Sequence, residues 1–400
     1  MSLDITATLQ QVEAVADLLR GQAAERRRRL EALAAYARGV SPEALRAALG
    51  ALPDRLPFLP AEPLEPPASA HTPPPLPRPW RVLAVDGSHI DVSRHLPLRC
   101  YLINIGRVRL TYGGGEPPLL DSTPRLFATP EDLVLTDPSG RQAVSVEGAL
   151  VHLHRSALEV DALAGLAKGC TLPCPTVALI DGSLVLWAPE GGQWPEVVRQ
   201  RFVRSLFLRG LEELRQLGQR FPLAVAGYIS LPNSAEVVNT LRLALCPHQG
   251  GCPALQGKGD GCPSTIAHGF VDRDLFTLLL RPGQRSGLFR SLASLVREEY
   301  GEGQGVFFFY LHVGPEIARV EAPAWCAGDP RLLGLLHAGV LGQAECASGY
   351  PLALQEAHEQ AVVSPADREA FRLLVEEALA RRGLPVYTSE KQRSKRLRSL

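Results

Sequence analysis

The chain has 400 residues, 46% of them hydrophobic, which is enough for one large domain or two ordinary ones. Its 42 basic and 42 acidic residues cancel, which excludes a uniformly basic polyanion binder, so positive charge for a nucleic acid would have to be local. No run approaches the ~18 to 20 apolar residues of a membrane span, and Met1-Ser2-Leu3-Asp4 lacks the basic start of a secretory signal; the expectation is a cytoplasmic protein with no membrane role.

Residues 1–50 read as a helical arm. Leu9, Val12, Val15, Ala16, Leu19, Leu30, Leu33 and Ala34 recur at three- and four-residue steps, and Ser41-Pro42-Glu43 caps a second helix. The apolar stripe suits dimerisation, docking or packing on the chain's own core. Arg26 to Arg29 form a charge run, read as a solvated face or as a surface for DNA or a partner. Residues 51–80 are dense in proline, including Pro73-Pro74-Pro75, and predict an extended linker.

From 81 to 388 strands alternate with helices, which predicts an α/β domain with a mixed sheet. Strands are expected at 82–85, 177–180, 222–229, 305–313 and 316–321, and a hairpin at 98–112 turning near Gly106. Helices are expected at 146–168, 194–218, 234–245 and through 329–382. A further helix is expected from about 285, flanked by Arg281, Arg285 and Arg290 as a local basic patch. Residues 389–400 form a basic tail that either touches a DNA backbone or is a solvated end.

Two apolar strands each end in the same tripeptide, Asp86-Gly87-Ser88 and Asp181-Gly182-Ser183. A carboxylate at the end of a packed strand enters the crevice where ligands of open α/β sheets collect. Asp-Gly-Ser is also a common turn, so one copy alone means little. Two copies in one context suggest a site for hard divalent cations, which need further oxygen ligands. Glu159 is the obvious third carboxylate, with Arg155 four residues before it on the same helix face; Glu147 competes with it, and a plain Arg155–Glu159 surface pair is the bland alternative. After Gly349-Tyr350-Pro351 a helix carries Glu356, His358 and Glu359, and His358 could orient water, contact a scissile phosphate, ligate a metal or be an ordinary, partly exposed histidine.

The eight cysteines are too few for a disulfide scaffold. Cys246, Cys252 and Cys262, with His248 or His268, could clip the Gly- and Pro-rich loop 246–262 around Zn²⁺; an iron–sulfur cluster and unligated thiols are the alternatives. Cys170 and Cys174 read as structural.

The ordered set Ala84-Val85-Asp86-Gly87-Ser88, Arg155 with Glu159, and Leu179-Ile180-Asp181-Gly182-Ser183-Leu184 resembles the NurA nuclease family. So do Gly227-Tyr228-Ile229-Ser230 leading to Ser234 and Val237-Val238, Tyr350-Pro351 with Ala357-His358, and Ser389 with Lys391. The resemblance spans most of 81–395 and does not require the cysteine clip. It implies an RNase H-like mixed sheet flanked by helices, Mn²⁺-dependent 5′-to-3′ exonuclease and single-strand endonuclease activity (Mg²⁺ being the other candidate ion), and a homodimer. It also implies partnership with the hexameric translocase HerA in DNA end resection and double-strand break repair. Carried over by position, Asp86, Glu159 and Asp181 would be the metal carboxylates and His358 the C-terminal active-site histidine, with Tyr350 a weaker candidate; the mechanistic expectation is that Asp86 bridges two ions while Asp181 and Glu159 complete their shells. Two other readings remain at this point: a non-catalytic RNase H-like adaptor that binds DNA and the translocase, and a zinc-stabilised nucleic-acid-binding module.

Overall fold

The computed structural model describes residues 4–50, 58–92, 97–189, 192–247 and 262–384. His248, Cys252 and the basic tail fall outside these residues. Two compact units emerge, neither contiguous in sequence: Met1–Pro73 with Ser230–Ala293 and Phe307–Val320, and Pro74–Ile229 with Ser294–Val306 and Glu321–Leu400.

In the first unit the helix Ile5–Gly39 starts on Asp4, whose carboxylate accepts the Ala7 N–H at 3.0 Å and so satisfies one otherwise unpaired donor of the first turn. Only its last third is buried: Leu33, Ala34 and Ala37 join a core with Leu45, Val237, Leu241, Phe276, Phe308 and Tyr310. The arginine run divides. Arg26 and Arg29 lie over the Phe270 ring, 4.4 and 5.3 Å from its centre, Arg26 still exposed and Arg29 partly buried, whereas Arg27 and Arg28 pair with Glu31 and Glu25 on the helix itself. Asp272 is fully buried and accepts from the Val237 and Val238 N–H groups and the Tyr310 hydroxyl, capping the helix Glu236–Leu245.

Two expectations change in this unit. Part of the proline-rich stretch is sheet: Ala61–Pro63 pairs with Phe289–Ser291, and Ala70–His71 with Arg285–Ser286. Proline already favours extended backbone, and at the end of a short strand its missing N–H removes little from the ladder. The helix expected from 285 is replaced by those two short strands. Arg285 is buried with Glu65 at 3.7 Å, and Arg290 lies 3.4 Å from Glu62, so carboxylates balance that patch.

The second unit is built on strands β1 (Trp80–Ile90), β2 (Tyr101–Tyr112), β3 (Leu119–Phe127), β4 (Thr176–Asp181) and β5 (Leu223–Ile229), in the order β5-β4-β1-β2-β3. β1, β4 and β5 run parallel, while β2 and β3 are antiparallel to their neighbours. The mixed sheet is thus as expected. Val82, Leu83, Ala84, Val177, Ala178 and Leu179 are wholly buried, the continuous apolar run that parallel strands covered on both faces require. Helices α1 (Ala149–Lys168), α2 (Pro330–Cys346), α3 (Leu352–Ala361) and α4 (Pro365–Ala380) belong to this unit, as does a helical run through 196–217 whose middle, Arg199–Leu208, is π-helical.

No hairpin turns at Gly106. β2 passes straight through it, with Gly106 opposite Asp86 in the register. A Cβ there would stand 2.1 Å from the carbonyl oxygen of Ala357, so this glycine lets α3 lie directly on the strand. Cys170 and Cys174 are buried, consistent with a structural role.

Candidate active site

The parallel register between β1 and β4 runs to Val85 and Ile180, one residue short of Asp86 and Asp181. β4 ends at Asp181, whereas β1 continues beyond Asp86 to Ile90, longer than the strand expected from sequence. Asp86 lies close enough to Asp181 to act on its charge. Residues matched across parallel strands point to the same face, so the two carboxylates that follow the last matched pair enter one crevice. Asp86 is only 7% exposed. Its Oδ1 accepts the Gly87 N–H at 2.7 Å, and its Oδ2 lies 2.8 Å from Nδ1 of His358.

His358 arrives on α3, which is fastened to the sheet. The Asn104 amide donates to the Ala361 carbonyl at 2.9 Å, and the Ser88 hydroxyl donates to the same oxygen. Glu159 arrives from α1 and is buried. Gly87 makes room for it: a Cβ there would lie 2.6 Å from Glu159 Oε1 and 2.8 Å from Arg155 Cγ. Arg155 ties the helix to the strand by donating to the Gly87 carbonyl at 2.8 Å. Glu147 is exposed ahead of α1, so of the two competing acids it is Glu159 that stands beside Asp86 and Asp181. Tyr350 donates to Asp181, and its ring meets Tyr228 edge-on at 5.4 Å. Asp86, Glu159, Asp181, His358 and Tyr350 are therefore brought together.

Two of these carboxylates are held away from their ordinary range. Burial first, then Asp86 and Asp181, push Glu159 up to about 8 against the opposing pull of Arg155. Burial and then Asp86 also raise Asp181, which Tyr350, His358 and Arg155 partly offset. Such shifts mark groups kept in an environment hostile to their own charge, a frequent property of reactive sites.

Among the described residues no group of three or more His, Cys, Asp and Glu side chains is arranged as it stands to hold a metal ion. The carboxylates face protein partners: Asp86 faces His358, Asp181 faces Tyr350 and Glu159 faces Arg155. The donor chemistry nevertheless suits a hard cation. Glu159 Oε1 is buried, accepts no hydrogen bond, and has Arg155 Nε 3.4 Å away, so one oxygen of the cluster lacks a strong partner.

The cleft that opens beside Glu159 and Asp181 has a volume of about 510 Å³ and is also lined by His152, Arg155, Trp187 and Trp194. Sequence reasoning missed Glu321 and Trp187. The Glu321 carboxylate accepts from the Ser183 hydroxyl and the Leu184 N–H, both at 2.8 Å, fixing the loop after Asp181. An acid inside the apolar strand Ile317–Pro323 was its only signal. Elsewhere, Cys246 and Cys262 pack with Leu49, Phe58 and Leu243, with Ser264 Oγ 3.1 Å from the Cys262 sulfur and the Arg242 guanidinium over the Phe58 ring.

The NurA domain model matches residues 81–363. No curated protein matches the chain. Among solved structures, the NurA nuclease from Sulfolobus solfataricus is 13% identical with a TM-score of 0.47, covering 95% of this chain and 98% of that one. A NurA structure with manganese is 12% identical, with a TM-score of 0.37 over 91% and 97% of the two chains. LC9-RNase H1 is 12% identical, with a TM-score of 0.20 over 46% and 76%. The matched segment begins before Asp86 and ends beyond His358, spanning the whole carboxylate cluster, and on that match the chain belongs to the NurA family of nucleases.

Proposed function

We propose that this nuclease hydrolyses DNA phosphodiesters with divalent cations held by Asp86, Glu159 and Asp181. The observation that carries the reading is the meeting of these three acids with His358, from four segments distant in sequence, where β4 ends beside β1. A bound Mn²⁺ or Mg²⁺ supplies charge stabilisation for the phosphate and acidifies attacking water. The chain's own residues do the rest. Asp86 holds His358 through Nδ1, which leaves Nε2 of a half-exposed ring for a phosphate oxygen or water. Arg155 tempers the negative cluster and keeps α1 seated on β1. Gly87 and Gly106 allow the close approach of the two helices that deliver Glu159 and His358.

Family membership supports the finer reading: 5′-to-3′ exonuclease and single-strand endonuclease cutting by a cytoplasmic homodimer, coupled to a HerA-type hexameric ATPase during end resection in double-strand break repair. No helix among the described residues is long and apolar enough to cross a membrane. A zinc ion on Cys246, Cys252 and Cys262 belongs to the same proposal, supported by the shared packing of Cys246 and Cys262, and elemental analysis of purified protein tests it.

The decisive assay incubates the chain with labelled single-stranded and duplex DNA in Mn²⁺, in Mg²⁺ and in chelator. Cutting should occur with metal and stop in chelator. Asp86→Asn and Asp181→Asn should each lose at least ~100-fold while keeping the wild-type circular dichroism spectrum, because loss of a ligand exceeds the effect of disturbing its neighbours. Wild-type cutting by folded Asp86→Asn would defeat the assignment, and DNA binding without any cutting would favour the adaptor.

A further inference from the structure

The aromatic residue in the cleft has a use that the carboxylates cannot supply. Of the four tryptophans, Trp80 and Trp194 are buried, Trp325 is partly buried, and Trp187 is 52% exposed. It lines the same cleft as Glu159 and Asp181. It is not exposed because its loop is loose. The three residues before it, Leu184, Val185 and Leu186, are 0, 2 and 5% exposed. Their backbone is pinned at every step. Glu321 takes the Leu184 N–H at 2.8 Å, the Tyr300 hydroxyl donates to the Leu184 carbonyl at 2.8 Å, and the Leu186 N–H donates to that hydroxyl at 3.2 Å. The Trp194 indole donates to the Leu186 carbonyl at 2.9 Å, and the Trp187 N–H to Val185 at 3.0 Å. A large apolar side chain is thus held at the mouth of the cleft by a rigid support, and leaving it in water is unfavourable.

On the reading that this site cleaves DNA, we infer that Trp187 is a stacking platform for an unpaired nucleobase next to the scissile phosphate. Without metal the carboxylates offer the backbone no attraction, and Arg155 is engaged with Glu159 and the Gly87 carbonyl, so a neutral part of the substrate is an independent source of affinity. A base is neutral, planar and tolerant of sequence as a stacking partner. A cleft of about 510 Å³ has the size of small-molecule sites. Bases within a duplex are already stacked and paired, so only single strands and frayed ends can use the platform. Trp187 is therefore a positioning and specificity residue that selects unpaired DNA.

Binding is measured in chelator, where nothing is cut, by anisotropy of a labelled short oligothymidylate. Stacking of one base contributes ~1 to 3 kcal/mol, so Trp187→Ala should weaken binding about 5- to 150-fold, and Trp187→Phe should recover most of the loss. A wholly abasic strand of the same length should bind wild type as weakly as oligothymidylate binds Trp187→Ala, and the alanine variant should not distinguish the two strands. Unchanged oligothymidylate binding by a folded Trp187→Ala would overturn the inference, as would an equal loss on both strands. The two readings fail separately. If wild type does not cut in Mn²⁺ but still discriminates against abasic DNA, the nuclease assignment falls and the platform stands; if it cuts yet never discriminates, the platform falls alone.

Discussion

Glu159 shows how a single residue can be tuned against its own charge. Its oxygens lie between a helix and a strand with two further acids nearby, and Arg155 at 3.4 Å is the compensating cation. In the unfolded chain its carboxyl titrates near 4.5, and in the fold near 8. Folding therefore favours the protonated form. The stabilisation is fully present below pH 4.5 and is lost as pH rises toward 8. Glu159→Gln removes this dependence while keeping the shape. In chelator, its melting temperature should gain steadily on wild type between pH 4.5 and pH 8 and hold a constant lead above that. Parallel melting curves across the window would mean that Glu159 ionises like a surface carboxylate. The same proton must leave before the oxygen can ligate a cation, so Mn²⁺ affinity of wild type should rise through that window.

At the scale of elements, the site depends on two helices approaching the sheet more closely than side chains usually permit. α3 lies on β2 at Gly106, and His358 is the next residue after Ala357, whose carbonyl occupies the space of a Cβ. Gly106→Ala must push α3 outward. It should destabilise the protein by ~1 to 3 kcal/mol in chemical denaturation and depress cutting, because His358 moves from Asp86. Gly115→Ala is the control, since a Cβ there meets nothing within 4 Å. Equal stability of the two variants would show that the strand–helix approach is soft. The same glycine explains a misreading. From sequence, a glycine amid apolar residues signals a turn as readily as a close packing contact, and the atom that decides it comes from a helix far along the chain. The two aspartates of β1 and β4 were legible because an apolar run that meets a carboxylate has few other uses, although β1 runs on through Asp86 to Ile90 and only β4 stops at its acid. Two-residue strands such as Ala70–His71 were not, since their only support is their pairing partner. Nor was the cleft position of Trp187, which rests on Glu321, Tyr300 and Trp194.

For the molecule as a whole, the open question is what covers the start of the N-terminal helix. Ile5, Leu9, Val12, Val15, Leu18 and Leu19 are all more than half exposed, whereas the buried positions of this 35-residue helix begin at Leu33. The steps Ile5, Leu9, Val12, Ala16 and Leu19 alternate four and three, the spacing of a coiled-coil seam. A seam whose residues are exposed among the described residues gains most from an identical helix, because the same residues then cover each other in a self-complementary contact. This supports the homodimer in the proposed function. Light scattering of wild type should give twice the chain mass, and Leu9→Glu with Val12→Glu should give a single chain mass, because four like charges would face one another across the seam. The substituted residues lie outside the carboxylate cluster, so the variant should still bind Mn²⁺. A monomeric wild type, or a dimer that survives both glutamates, would remove the helix from the interface.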